Sequence, residues 1–129
     1  MENNKLSKIL GVDYGRSKIG LAVTEGKLAY PWKVIRVRDV EDAVSKIREI
    51  VLAEEIGKIV VGVSEGEMGA ESKRFADRIG AVTFDETLTS QEAQRLSIEA
   101  GVKKTKRKEM EDAFAASIML QNFLDSFPG

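Results

Sequence analysis

Four carboxylates stand out by position. Asp13 ends the apolar run "ILGV", Asp85 and Glu86 follow "AVTF", and Asp112 opens the apolar segment "AFAASIML". A buried charge without a partner is expensive, so an acid at the end of a buried strand calls for one. Three carboxylates drawn within a few Å would raise one another's pKa, and divalent cations reverse that penalty. Two ions about 4 Å apart activate a water and stabilise the leaving oxygen in phosphodiester cleavage. Taken singly, each acid has a plainer role. Asp13 can begin an Asp-x-Gly turn, Asp85 can serve a turn, and Asp112 can meet the dipole of its helix. The reading as chemistry rests on Asp13, Glu86 and Asp112 falling together at element ends.

Composition narrows that chemistry. The chain has 129 residues with no Cys and no His. Thiolate chemistry, disulfides, the commonest general base and the commonest zinc ligand are excluded. Any metal must be held by oxygen, which favours Mg²⁺ or Mn²⁺. At 43% hydrophobic and 32% charged, the sequence reads as a soluble globular domain spanning 1–129. No apolar run approaches the roughly 20 residues of a membrane span. "MENNKLSK" has no apolar core of a secretion signal, and a cytoplasmic location is expected. The net charge of −1 gives no bulk attraction to nucleic acid, so local clusters must supply it.

The elements that must position these acids follow from periodicity. Residues 8–14 and 18–24 read as a hairpin about "YGRS", and "YPWKVIRV" adds a third strand near 32–37 with Pro31 at its entry. Val40, Ala43, Val44, Ile47, Ile50 and Val51 recur at helical spacing after the N-cap candidate Asp39, with Gly57 just past the end. "KIVVGV" at 58–63 is a strand buried on both faces, "SEGEMG" a loop, "AESKRFADRIG" a short helix and "AVTFDE" a fifth strand. "TSQE" matches a capping box opening another helix, stopped by Gly101. The last helix carries Met110, Ala113, Phe114, Ser117, Leu120 and Leu124 on one side. The order βββαβαβαα predicts an α/β domain. Its mixed five-stranded sheet has a three-stranded antiparallel meander, two parallel strands and helices on its faces. Ligands of such sheets gather beyond the carboxyl ends of the parallel strands, where Asp13 and Glu86 would converge.

"GVDYGRSKIGLAV", "KIVVGV", "FDETLTSQEA" and "EDAFAASIMLQNFL" resemble the YqgF family, also called RuvX, of Holliday-junction resolvases and ribosomal-RNA maturation nucleases. The resemblance spans nearly the whole chain in order. It implies a ribonuclease H-like fold and a metal-dependent endonuclease with two Mg²⁺ or Mn²⁺ ions. Its substrate would be a ribosomal-RNA precursor or branched DNA, with ribosomal particles as further partners. By this resemblance Asp13, Glu86 and Asp112 are the catalytic, metal-holding acids. Asp85 is a further candidate ligand, ranked after Glu86 because side chains alternate along a strand. Glu109, one helical turn before Asp112, is another. Two positions depart from the family pattern: Thr87 stands where Arg is usual, and Ser64 where Pro is usual.

Lys103, Lys104, Lys106, Arg107 and Lys108 precede the Asp112 helix and read as a phosphate clamp, or as a merely solvated loop. Arg16 and Lys18 extend the basic surface. Backbone binding by this cluster would weaken by roughly 0.7–0.9 log units per log salt for each phosphate neutralised. No aromatic ladder accompanies the cations, so base stacking is not indicated. "GRSKIG" lacks the Walker A spacing and ending. The alternatives are a non-catalytic nucleic-acid-binding or ribosome-associated domain and a fragment of a sugar-kinase or actin-like ATPase. The latter needs two such domains around its nucleotide.

Overall fold

A computed structural model describes residues 8–85 and 110–126. Its strands are β1 (Ile9–Asp13), β2 (Lys18–Glu25), β3 (Leu28–Arg36), β4 (Lys58–Val63) and β5 (Val82–Asp85). Its helices are α1 (Val40–Ala53), α2 (Gly66–Ile79) and α3 (Glu111–Ser126). The sheet order is β3-β2-β1-β4-β5. β1, β2 and β3 pair antiparallel, and β1–β4 and β4–β5 pair parallel. This is the expected mixed sheet. The capping-box segment "TSQE", Gly101 and the basic run 103–108 lie outside the described residues, as do Glu86 and Glu109. Among the described residues no helix is long and apolar enough to cross a membrane.

Strand alternation sends the apolar side chains into two cores. Leu10, Val12, Ile19, Leu21, Ile59 and Val61 pack beneath α1 and α2 with Ala43, Val44, Ile47, Phe75 and Ala76. Val60 and Ala22 face the other way and meet Ala116, Met119, Leu120 and Phe123 of α3. β4 is buried on both faces, as its unbroken apolar run requires.

Three local expectations need correction. β3 begins at Leu28, so Pro31 lies inside the strand rather than at its entry. An edge strand tolerates it, and the pairing slips there: Leu21 faces Lys33 while Ala22 faces Pro31, leaving Trp32 as the extra residue. α2 begins at Gly66, so most of "SEGEMG" is helical. Gly69 allows this, because a side chain there would overlap the Ser64 carbonyl. On α3, Phe114 and Leu124 are only half-buried, whereas Ala116, Met119 and Phe123 join Ala113, Ser117 and Leu120 inside. The helix is apolar nearly all round, so periodicity alone does not select its inner face.

α1 starts as expected, with the Asp39 side chain accepting from the Asp42 N–H at 2.8 Å. Its end differs. Glu55, not Gly57, takes the left-handed conformation, at φ 55°. The Ile56 N–H then reaches back to the Val51 carbonyl at 3.0 Å. A left-handed conformation costs a residue with a Cβ about 1 kcal/mol more than glycine. Glu55→Gly is therefore expected to stabilise the protein by about that amount. The urea midpoint should rise with no change of slope.

Candidate active site

The geometry of the site begins with two glycines on one face of the sheet. Gly11 in β1 lets α3 come close: a Cβ there would lie 3.0 Å from the Leu120 Cβ and 3.3 Å from the Ala116 carbonyl. Gly20 in β2 lets the first turn of α3 come closer still. A side chain at Gly20 would overlap the Asp112 carbonyl and sit 2.7 Å from the Ala113 nitrogen. Gly20 is also the cross-strand partner of Asp13. The same glycine therefore lies beside Asp13 and beneath Asp112, and through it acids 99 positions apart in sequence are brought together.

Asp13, Tyr14, Gly15, Arg16, Ser17, Lys18 and Asp112 line a cleft of about 220 Å³ at the carboxyl end of β1. Both acids are half-buried, and the Lys18 Nζ stands 3.5 Å from Asp112 Oδ2. Two hard oxygen donors lining one cleft suit Mg²⁺ or Mn²⁺. Among the described residues no group of three potential metal ligands comes together. Asp85 is exposed at the end of β5 and does not line the cleft. Its neighbour Phe84 packs edge-on against Phe123 of α3, with ring centroids 5.7 Å apart, so alternation turns Asp85 to the other face.

Of the two cations at the hairpin, Lys18 meets Asp112 and Arg16 turns to α2. The Arg16 Nε lies 3.1 Å from each Glu71 oxygen, and its Nη2 also contacts Glu71. The hydrogen bond from Arg16 holds the Glu71 carboxyl below its usual range, and Glu71 raises Arg16 in turn. Tyr14 stacks on Phe75 at 4.5 Å between centroids, and burial raises its hydroxyl pKa. Sequence reasoning missed Glu71 and Gly20. Nothing local marks Glu71, which is 55 residues from Arg16. Gly20 did carry a signal, since a glycine inside a strand pattern suggests close backbone approach.

Elsewhere, Glu41 is lowered by the hydrogen bond from Arg78, and Asp42 by the Arg38 backbone N–H. A carboxyl whose folded pKa is depressed adds stability above its unfolded value, and that stability is lost as pH falls through the folded value. Glu41, Asp42 and Glu71 together predict stability that holds near neutrality and declines below about pH 4. Urea melts across pH should show that decline, and Glu71→Gln should make it shallower.

Comparison with known proteins agrees with this fold. The chain matches the RuvX family, described as Holliday junction resolvase, over residues 7–126. It is 36% identical to the "Putative pre-16S rRNA nuclease" of Chloroflexus aggregans, covering 92% of this chain and 93% of that one. The protein of the same name from Oceanobacillus iheyensis is also 36% identical, over 92% and 98%. In fold it is similar to T. thermophilus RuvC in complex with Holliday junction substrate. That match has a TM-score of 0.61, 14% identity and coverage of 94% and 95%. The fowlpox virus resolvase bound to Holliday junction DNA matches at TM-score 0.58 and 10% identity, over 95% and 99%. With an oxygen-lined cleft at the strand ends and a match across nearly all its length, the chain belongs to the RuvX family of Holliday junction resolvases.

Proposed function

We propose that the protein is a metal-dependent endonuclease that hydrolyses phosphodiester bonds in structured nucleic acid, either a ribosomal-RNA precursor or branched DNA. The observation that carries this reading is the convergence of Asp13 and Asp112 on one cleft, fixed by the packing of α3 on Gly20. Glu86 is the third acid of the proposed set. It ranks ahead of Asp85, which is exposed and does not line the cleft. Glu109, three positions before Asp112 in sequence, is a further candidate.

Asp13 and Asp112, with Glu86, would hold two Mg²⁺ or Mn²⁺ ions. When bound, such ions supply the positive charge that activates water and stabilises the leaving oxygen. The chain's own groups orient the substrate. Lys18 lies within the cleft and Arg16 at its lip, where each can meet a backbone phosphate. Lys103, Lys104, Lys106, Arg107 and Lys108 would extend that grip along the strand. The Arg16–Glu71 pair limits the free charge at the lip, so a phosphate must compete with Glu71 for Arg16.

The test is a cleavage assay on a four-way DNA junction and on a precursor of 16S ribosomal RNA, each with Mn²⁺ and with chelator. Metal-dependent cutting of either substrate supports the reading, and the preferred one names the biological target. Binding of both without cutting under any metal would instead favour a non-catalytic nucleic-acid-binding domain. That alternative takes support from Thr87 at a position where the family usually has Arg.

A further inference from the structure

We propose that Lys18 is a built-in competitor for the metal at Asp112. It would neutralise the acid in the metal-free protein and be released toward substrate when a divalent cation binds. This inference rests on the reading of Asp13 and Asp112 as metal ligands.

Lys18 opens β2 directly across from Arg36 in β3. Like charges facing each other across a strand pair repel. The Lys18 ammonium is drawn the other way, to within 3.5 Å of Asp112 Oδ2. Alternation from Gly20 puts Lys18 on the α3 face of the sheet, the face that carries Asp112. Its backbone is held by the pairing of β2 with β3, and it runs so close to Gly15 that a Cβ there would lie 2.5 Å from the Lys18 carbonyl. The side chain is not fixed. It is half-exposed, on a flexible four-carbon stem. An anchored backbone with a half-exposed ammonium at a carboxylate is suited to exchange between two partners.

The exchange follows from charge. Without metal, the acids of the cleft repel one another, and Lys18 offsets part of that repulsion. With a divalent cation held by Asp112, Lys18 would lose its attraction there and would be repelled toward a phosphate of the bound strand. Lys18 thus weakens metal binding in the absence of nucleic acid and becomes available when both are present.

Calorimetric titration with Mn²⁺, in low salt and without nucleic acid, tests this on the full chain. Lys18→Met should tighten Mn²⁺ binding by about fivefold, near the ceiling that an exposed ion pair sets. Lys18→Arg keeps the charge and should stay within about twofold of wild type. Lys27→Met is the control for net charge, because Lys27 lies in the β2–β3 turn at the far end of the hairpin. It should also stay within about twofold, and in 1 M salt the Lys18→Met gap should close. Unchanged or weaker Mn²⁺ binding by Lys18→Met overturns the proposal, as does an equal gain in Lys27→Met. In either case, Mn²⁺ binding that Asp13→Asn removes would leave the metal site standing. If wild type and Lys18→Met both bind no Mn²⁺, the metal site and the role of Lys18 fall together.

Discussion

Asp13→Asn is expected to abolish metal-dependent cleavage while leaving the fold in place. The substitution keeps the shape of the side chain and removes its charge. Asp13 pairs with Gly20 through its backbone, which the change does not touch. The variant should therefore keep a cooperative urea transition with the wild-type slope. Function has no such tolerance. Losing a carboxylate ligand forfeits several kcal/mol of transition-state stabilisation, and each 1.4 kcal/mol is tenfold in rate. The expected loss is about 10³-fold or more in single-turnover cleavage with Mn²⁺. Full activity in a folded variant would end the assignment of Asp13.

Gly20→Ala should damage both stability and activity through the contact that assembles the site. The new methyl group would overlap the Asp112 carbonyl and press on the Ala113 nitrogen, which are backbone atoms and cannot rotate away. The first turn of α3 must lift. Overpacking of this kind costs about 1–3 kcal/mol, and the backbone neighbours place Gly20→Ala toward the upper end. Moving Asp112 by about 1 Å relative to Asp13 can also cost about 10²-fold in rate. Gly11→Ala is the comparison. Its nearest obstacles, the Leu120 Cβ at 3.0 Å and the Ala116 carbonyl at 3.3 Å, need to yield by only a few tenths of an ångström, and Gly11 lies one further alternation from the cleft. It should lower stability less and leave cleavage by the folded fraction nearly unchanged. Urea melts paired with single-turnover rates separate the two effects. Equal loss of activity in both variants would mean that Gly20 does not position Asp112.

Much of this was legible in the residues because local chemistry and tertiary demand agree. The apolar run at 58–63 reads as a doubly buried strand and is one, and Asp39 announced the start of α1. Asp13 and Asp112 drew attention because an acid beside an apolar segment is conspicuous. The features that escaped notice depend on partners distant in sequence. Pro31 reads as a strand boundary until the edge position of β3 and the slip at Trp32 are known. Glu55 reads as an ordinary helical residue, because its left-handed conformation is imposed by the turn from α1 into β4. The inner face of α3 is undecidable from its own sequence. The sheet selects the Ala113, Ala116 and Leu120 side, where small residues can meet Gly11 and Gly20. Arg16 looked like a free phosphate ligand, and only α2 reveals its engagement with Glu71.

A crystal of the protein grown with Mn²⁺ and read by anomalous scattering would locate the ions themselves. Manganese density at coordination distance from the carboxylates of both Asp13 and Asp112 is the predicted result. An anomalous map with no manganese between those two side chains, or with the ion held elsewhere in the molecule, would contradict it.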